Sequence, residues 1–136
     1  MSYWLVKTEP GCWSWENQKK NTTTHWDGVR NYQARNNLKA MEIGDLCFFY
    51  HSVKERRIMG IVKVIKTFYP DPTDETNRFG MVDVGYVEDL KKPVSLDLIK
   101  AHPKLQHLGL VTQSRLSVMP IDENSWELIY NFGMRE

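Results

Sequence analysis

Leu46-Cys47-Phe48-Phe49-Tyr50-His51 and, after a polar turn, Ile58-Met59-Gly60-Ile61-Val62-Lys63-Val64-Ile65-Lys66-Thr67-Phe68 decide the fold. The first run is almost continuously apolar, as a strand covered on both faces requires. The second is rich in β-branched residues, and the pair reads as a β-hairpin entered through the turn Gly44-Asp45. Gly60 inside the second strand marks a bulge or a point where another group approaches the backbone closely. Upstream, Tyr3 to Thr8 runs through aromatic, apolar and polar residues until Glu9-Pro10-Gly11 stops it, which predicts a first strand ending in a turn. Residues 31 to 40 lack Gly and Pro and place Ala34, Leu38 and Met41 four and three apart, so a short amphipathic helix is expected, capped by Asp27 or Asn31. Downstream, residues 79 to 90 alternate as a further strand that Pro93 ends. Ser95 caps a short helix over 96–100, Arg115 to Met119 forms a short strand stopped by Pro120, and Asp122 caps a last helix carrying Trp126, Ile129 and Tyr130. Strands dominate, with no internal repeat and no βαβ alternation. The fold class is α+β: a small mixed β-barrel of about five to six strands with short peripheral helices.

The chain has 136 residues, 41% of them hydrophobic and 26% charged. That is one domain's length and a globular composition, which excludes a disordered or collagen-like chain. No apolar run reaches the roughly 18 residues of a membrane span, and no secretory leader opens the sequence, so a cytoplasmic protein without membrane contact is expected, nucleoid-associated in a bacterium or nuclear in a eukaryote. Two cysteines, Cys12 and Cys47, are too few and too widely spaced for a disulfide framework. The four histidines show no zinc spacing, and neither a phosphate-binding glycine loop nor a nucleophile elbow occurs, so no metal, no cofactor and no catalytic residue is assigned. Nothing in the sequence calls for an oligomer, and a monomer is expected.

Net charge is only +1, too small for a non-specific nucleic-acid coat. Its distribution is uneven. Lys19, Lys20, Arg30, Arg35 and Lys39 stand against Asp27 alone between positions 17 and 40. Lys54, Arg56, Arg57, Lys63 and Lys66 stand against Glu55 alone between 53 and 66, whereas residues 71 to 97 hold seven acids and three bases. One face that meets phosphate and another that repels it would follow. Aromatic residues make up 12% of the chain. The densest mixture is Trp26-Asp27-Gly28-Val29-Arg30-Asn31, where an indole, a carboxylate, a flexible turn, a guanidinium and a carboxamide fall within six positions. These suit a planar polar ligand: Trp26 for stacking, Arg30 for phosphate or a base acceptor, Asn31 for a base edge. The structural alternative makes Trp26 a core anchor, Asp27 a helix cap and Arg30 its ion-pair partner. A hydrolase assembled from Cys12, His25, His51 and Ser52 is a further alternative.

Four segments in order resemble the EVE domain family of the PUA-like superfamily. They are Trp4-Leu5-Val6-Lys7-Thr8-Glu9-Pro10, Trp26 to Asn31 with Tyr32-Gln33-Ala34-Arg35-Asn36, Phe49-Tyr50-His51-Ser52, and Arg115-Leu116-Ser117-Val118-Met119-Pro120. The resemblance implies a PUA-like barrel with a pocket at one end, related in shape to the YTH readers of methylated adenine. It implies a non-catalytic reader of modified bases, chiefly modified cytosine in DNA, that holds a flipped base in an aromatic pocket. Its ligand-binding residues would be Lys7, Thr8 and Glu9 at the end of the first strand, Trp26 stacking on the base, Arg30 and Asn31 after it, Tyr50, His51 and Ser52 as the pocket wall, Gly60, and Arg115 and Ser117 on the closing strand. Arg35, Lys54, Arg56 and Arg57 would contact phosphate. The partner is then nucleic acid carrying a modified base, DNA ahead of RNA. An RNA-binding module or a metabolite-binding barrel is what the residues leave open. Two positions depart from the family: Val53 stands where Asn commonly follows Ser52, and Met81 where a tryptophan is frequent.

Overall fold

The computed structural model describes residues 1–53 and 55–135. Six strands form one mixed sheet: β1 (Tyr3–Thr8), β2 (Thr23–Trp26), β3 (Leu46–His51), β4 (Arg57–Pro70), β5 (Gly80–Ser95) and β6 (Val118–Ile121), in the order β2-β5-β4-β3-β1-β6. Around it lie α1 (Trp15–Asn21), α2 (Tyr32–Ala40), α3 (Leu96–Ala101), α4 (Gly109–Thr112), α5 (Glu123–Met134) and a 3₁₀ turn at Pro103–Leu105. The class is the one expected, but β2 and β6 remain as edges, so the barrel is not closed. Instead α2 packs against β6 at one edge and against β4 and β5 near the other, bridging a sheet that wraps toward itself.

The β3–β4 hairpin lies at the centre. Phe48 turns to one face and stacks on Trp126 of α5, with ring centroids 3.7 Å apart, and Trp126 stacks in turn on Tyr3. Its neighbour Phe49 turns to the other face and meets Trp15 and Trp26. Successive residues of a strand point to opposite faces, so a near-continuous apolar run needs cover on both sides, and these two aromatic clusters supply it. Parallel to β3 runs β1, which pairs antiparallel with β6 on its other flank. Between α2 and β3, Asp45 is buried and accepts from the indole of Trp4 at 3.0 Å and from the backbone N–H of Ser2 and of Glu42, which fixes the N-terminal strand on the turn.

Three details depart from expectation. Strand β5 continues through Pro93 to Ser95, and β6 begins at Val118 and contains Pro120 rather than ending before it. Pro120 sits in an outermost strand, and Pro93 lies beyond the part of β5 that β2 covers, so neither ring removes a ladder bond on both sides. The elements α1, β2, α4 and the 3₁₀ turn at Pro103–Leu105 are additional to those read from the sequence.

Candidate functional site

Two adjoining cavities open at the end of β1. After Thr8 the chain turns on Glu9, whose carbonyl accepts from the N–H groups of Cys12 and Trp13 at 2.9 and 3.0 Å. Ser14 then caps α1 in a reciprocal box with Asn17, and the indole of Trp13 donates to Gln18 at 2.9 Å. Thr22, with φ +67°, reverses the chain into β2, which pairs with β5 and ends at Trp26. This path walls a cavity of about 220 Å³ with Trp13 and Trp26, the polar side chains of Thr8, Thr24, His25 and Asp27, and Lys7 and Cys12. The volume is below the roughly 300–1,000 Å³ of drug-sized pockets and suits one ring system. Trp26 is 6% exposed, with its ring edge-on to Phe49 at 5.5 Å.

The second cavity, about 610 Å³, is a groove lined by Lys7, Glu9, Tyr50, Ser52, Arg56, Lys100, Ser114, Arg115 and Ser117, with apolar residues from α3 and α4 at its floor. Its four cations face one carboxylate, Glu9. Among the described residues, Lys7, Arg56, Lys100 and Arg115 make no ion pair, which leaves them for an external anion. The Lys7 ammonium donates to the Ser114 carbonyl at 3.0 Å and lies 5.8 Å from the Tyr50 ring, and burial lowers its pKa. Burial likewise pushes the Tyr50 hydroxyl up to about 12, so it stays protonated. Val53, on the rim, has φ +77°. That conformation costs a β-branched residue about 1–2 kcal/mol. Lys7 lines both cavities and joins them.

The structure distributes the expected residues unevenly. Lys7, Thr8 and Trp26 reach the first cavity. Lys7, Glu9, Tyr50, Ser52, Arg56, Arg115 and Ser117 reach the groove. Arg30 lines neither: it donates to Asp71 at 3.2 Å and to Thr73 at 2.9 Å, and thus pins the 71–79 loop instead of pairing with Asp27. Asn31 spends its carboxamide oxygen capping α2 through the N–H of Ala34. Arg35 is held by Asn36, the carbonyl of Arg78 and the ring of Tyr32. The groups that approach Gly60 are the Trp15 indole and the Glu88 carbonyl. His51 is 6% exposed and accepts from the Trp15 N–H through Nε2 at 2.9 Å, and burial lowers its pKa. With that nitrogen engaged, and Ser52 Oγ donating to the Thr8 carbonyl, the pair is not set up as base and nucleophile. Arg57 binds Glu55 on a shallower surface, and Lys54 lies outside the described residues. Sequence reasoning missed Trp13, Thr24, Lys100 and Ser114, and gave His25 and Asp27 other roles. The capping box at Ser14 was the available signal for α1 and so for Trp13.

The EVE domain family's sequence model matches residues 2–132. Human thymocyte nuclear protein 1 is 34% identical over 99% of this chain and 75% of its own length; the five vertebrate proteins of that name are spanned over 66% to 75%. Its crystal structure in complex with DNA containing 5-methylcytosine superposes with a TM-score of 0.93 at 35% identity, covering 100% of this chain and 99% of that one. A protein from Agrobacterium tumefaciens gives 0.93 at 48% identity over 98% and 93% of the two chains. A YTH domain from Zygosaccharomyces rouxii shares the fold at a TM-score of 0.61 and 15% identity, covering 99% of this chain and 85% of that one.

Proposed function

This chain belongs to the EVE domain family, and on that premise we propose that it is a non-catalytic reader of modified bases in nucleic acid, with modified cytosine in DNA as its ligand. The observation that carries this reading is the adjacency of the two cavities: a small tryptophan-walled cavity opens beside a groove bearing four cations that form no ion pair among the described residues, and Lys7 lines both. A base taken out of its stack enters the first, while its flanking phosphates lie against Lys7, Arg56, Lys100 and Arg115. The complex of human thymocyte nuclear protein 1 with 5-methylcytosine DNA supports the same assignment.

Energetics set the division of work. Stacking on an indole contributes about 1–3 kcal/mol, and extruding a base from a duplex costs a few kcal/mol, so the base alone roughly breaks even. Net affinity then comes from hydrogen bonds in the cavity and from the groove. One buried methyl contributes about 0.8 kcal/mol, a factor of about four, so selectivity for a methylated base also needs a polar group left unpaired when the wrong base enters.

Fluorescence titration of the wild type, Trp26→Ala and Arg115→Ala with oligonucleotides carrying cytosine, 5-methylcytosine, 5-hydroxymethylcytosine or N6-methyladenine tests this reading. The expected result is a preference for one modification that Trp26→Ala removes, and a uniform loss in Arg115→Ala that lowers the slope of log affinity against log salt by about one. Equal or absent binding of all four oligonucleotides would refute it.

A further inference from the structure

We infer that the chain grips a duplex by both strands: the groove takes the strand that yields the base, and a ridge of cations and rings on α2 and the β4–β5 connection takes phosphates of the complementary strand. This rests on the reader function proposed above and names the form of its partner. Tyr32, Arg35 and Lys39 recur along α2 at spacings of three and four, on one face of the helix. Phe68, Arg78 and Phe79 stand against them. Tyr32 is 51% exposed and meets the Phe79 ring at 5.1 Å, while the Arg35 guanidinium lies 4.8 Å from the Tyr32 ring. The Lys39 ammonium lies 5.4 Å from the ring of Phe68, which packs over Gly80, the residue after Phe79.

How these cations are held carries the inference. Arg35 donates to the Asn36 carboxamide oxygen at 3.2 and 3.0 Å and to the Arg78 carbonyl at 3.2 Å, all neutral acceptors. Lys39 has a ring as its neighbour, and among the described residues Arg35, Lys39 and Arg78 make no ion pair. Lys19, Arg30 and Arg57 each face a carboxylate instead. A ring or a carbonyl orients a cation without cancelling its charge, so the ridge keeps three positive charges for an outside anion. The 71–79 loop opposes them weakly: Asp71 and Asp74 are buried and bonded within the loop, which leaves Glu75 as its exposed acid.

Position selects the strand. Tyr32 follows Asp27 of the tryptophan-walled cavity by five residues, a reach of at most about 18 Å. On the opposite flank of α2, Asn37 donates to the Val118 carbonyl at 2.7 Å, one residue past Ser117 of the groove. The ridge is therefore turned away from the groove, where the base-bearing strand lies, and stands within reach of the other strand across a major groove about 12 Å wide. From Tyr32 to Lys39 the helix spans about 10 Å, the axial length of about three phosphates of one strand.

The test is fluorescence anisotropy between 50 and 200 mM salt with one labelled 5-methylcytosine oligonucleotide, alone or annealed to its complement. Wild type, Arg115→Ala and the double variant Lys39→Gln with Arg78→Gln are compared, with folding checked by circular dichroism. For the wild type, the slope of log affinity against log salt is expected to be steeper on the duplex than on the single strand by at least about 2. The double variant loses about 1.8 of the duplex slope and at least about tenfold in duplex affinity at 50 mM salt, while its single-strand affinity stays within about twofold. Arg115→Ala, in the groove, weakens both. Equal losses on duplex and single strand in the double variant, or no loss on either, overturn the inference and leave the reader function standing, as do coincident slopes in the wild type. A wild type that binds neither form overturns both.

Discussion

Gly60→Ala tests whether Trp15 locks α1 onto the sheet. A methyl group at this position would stand 2.1 and 2.6 Å from Cζ2 and Cη2 of Trp15 and 2.7 Å from the backbone carbonyl of Glu88. Gly60 is not among the positive-φ residues, so alanine is conformationally acceptable and gains about 0.4–1 kcal/mol from the stiffer unfolded chain. Sterics run the other way. Trp15 is 3% exposed, donates from its indole to Asp89 at 2.7 Å and from its backbone to His51 at 2.9 Å, and packs on Phe49 and Tyr86, so it cannot slide aside without breaking these contacts. The Glu88 carbonyl belongs to the paired strand and is still less free to move. Overpacking of this kind costs about 1–3 kcal/mol, and expelling the indole outright would cost about 3–5 kcal/mol. A net loss near 3 kcal/mol follows. With a urea m-value of about 2 kcal/mol/M, the midpoint should fall by about 1.5 M. Tryptophan fluorescence during urea titration reads it directly. A shift below about 0.3 M at unchanged m would show that Trp15 relocates freely, and that it does not lock α1 onto the sheet.

Two further outcomes are expected. Val53→Asn replaces a strained β-branched residue at φ +77° with one that adopts this conformation readily, so it should stabilise the fold by about 1 kcal/mol and raise Tm by about 4 °C in calorimetry; a lower Tm would contradict the strain. Burial pushes the Asp71 carboxyl up, yet the hydrogen bonds from Thr73, Gly28 and Arg30 outweigh it and bring the group from its ordinary 3.8 to about 2. Because the folded value is depressed, the stability it contributes is present above the unfolded value and is lost as pH falls through the folded one. Asp71→Asn should therefore be less stable at pH 7 and show a flatter decline between about pH 4 and pH 2 in urea midpoints, where an undiminished decline would place the acid sensitivity elsewhere.

The elements legible in the sequence are those whose side chains follow a period or carry a local signal. β1, β3 and β4 announce themselves through apolar runs, and Asn31, Ser95 and Asp122 each act as the helix cap their type suggests. α1 was illegible because five of its seven residues, Glu16, Asn17, Lys19, Lys20 and Asn21, are polar and not buried, and only Trp15 and Gln18 face inward. What holds it is tertiary: an indole seated on a glycine of a distant strand. β2 is four residues of outermost strand with one buried side chain, too short for alternation to register. The candidate site shows the same limit. Trp26 to Asn31 looked like one recognition unit because its residues are consecutive, but Gly28 at φ +77° breaks it. Trp26 and Asp27 stay on the cavity while Arg30 and Asn31 turn away to brace the 71–79 loop and cap α2. Chemistry adjacent in sequence was separated by one turn, and Trp13, which no motif joined to Trp26, lines the same cavity.

The charge distribution sharpens this division. A net charge of +1 is too small for a non-specific nucleic-acid coat, but Asp71 and Asp74 in the acidic stretch are buried and bond the N–H groups and hydroxyls of their own loop. Their carboxylates work inside the fold, and Glu9 is the one carboxylate that lines the groove with its four cations. Four such cations on a single strand imply a salt slope no steeper than about −2.8, so affinity falls at most about fiftyfold between 50 and 200 mM salt, far less than for proteins that neutralise ten phosphates. On the proposed reading, electrostatics then place the strand without dominating the energy, and discrimination falls to the small cavity. There the lining mixes the indoles Trp13 and Trp26 with Thr8, Thr24 and Asp27, so a ligand that stacks but mismatches its hydrogen bonds would leave a polar group unpaired. Such a mismatch costs about 1–3 kcal/mol, more than the methyl group itself contributes, so the edge of the base, and not its substituent alone, decides which ligand is held.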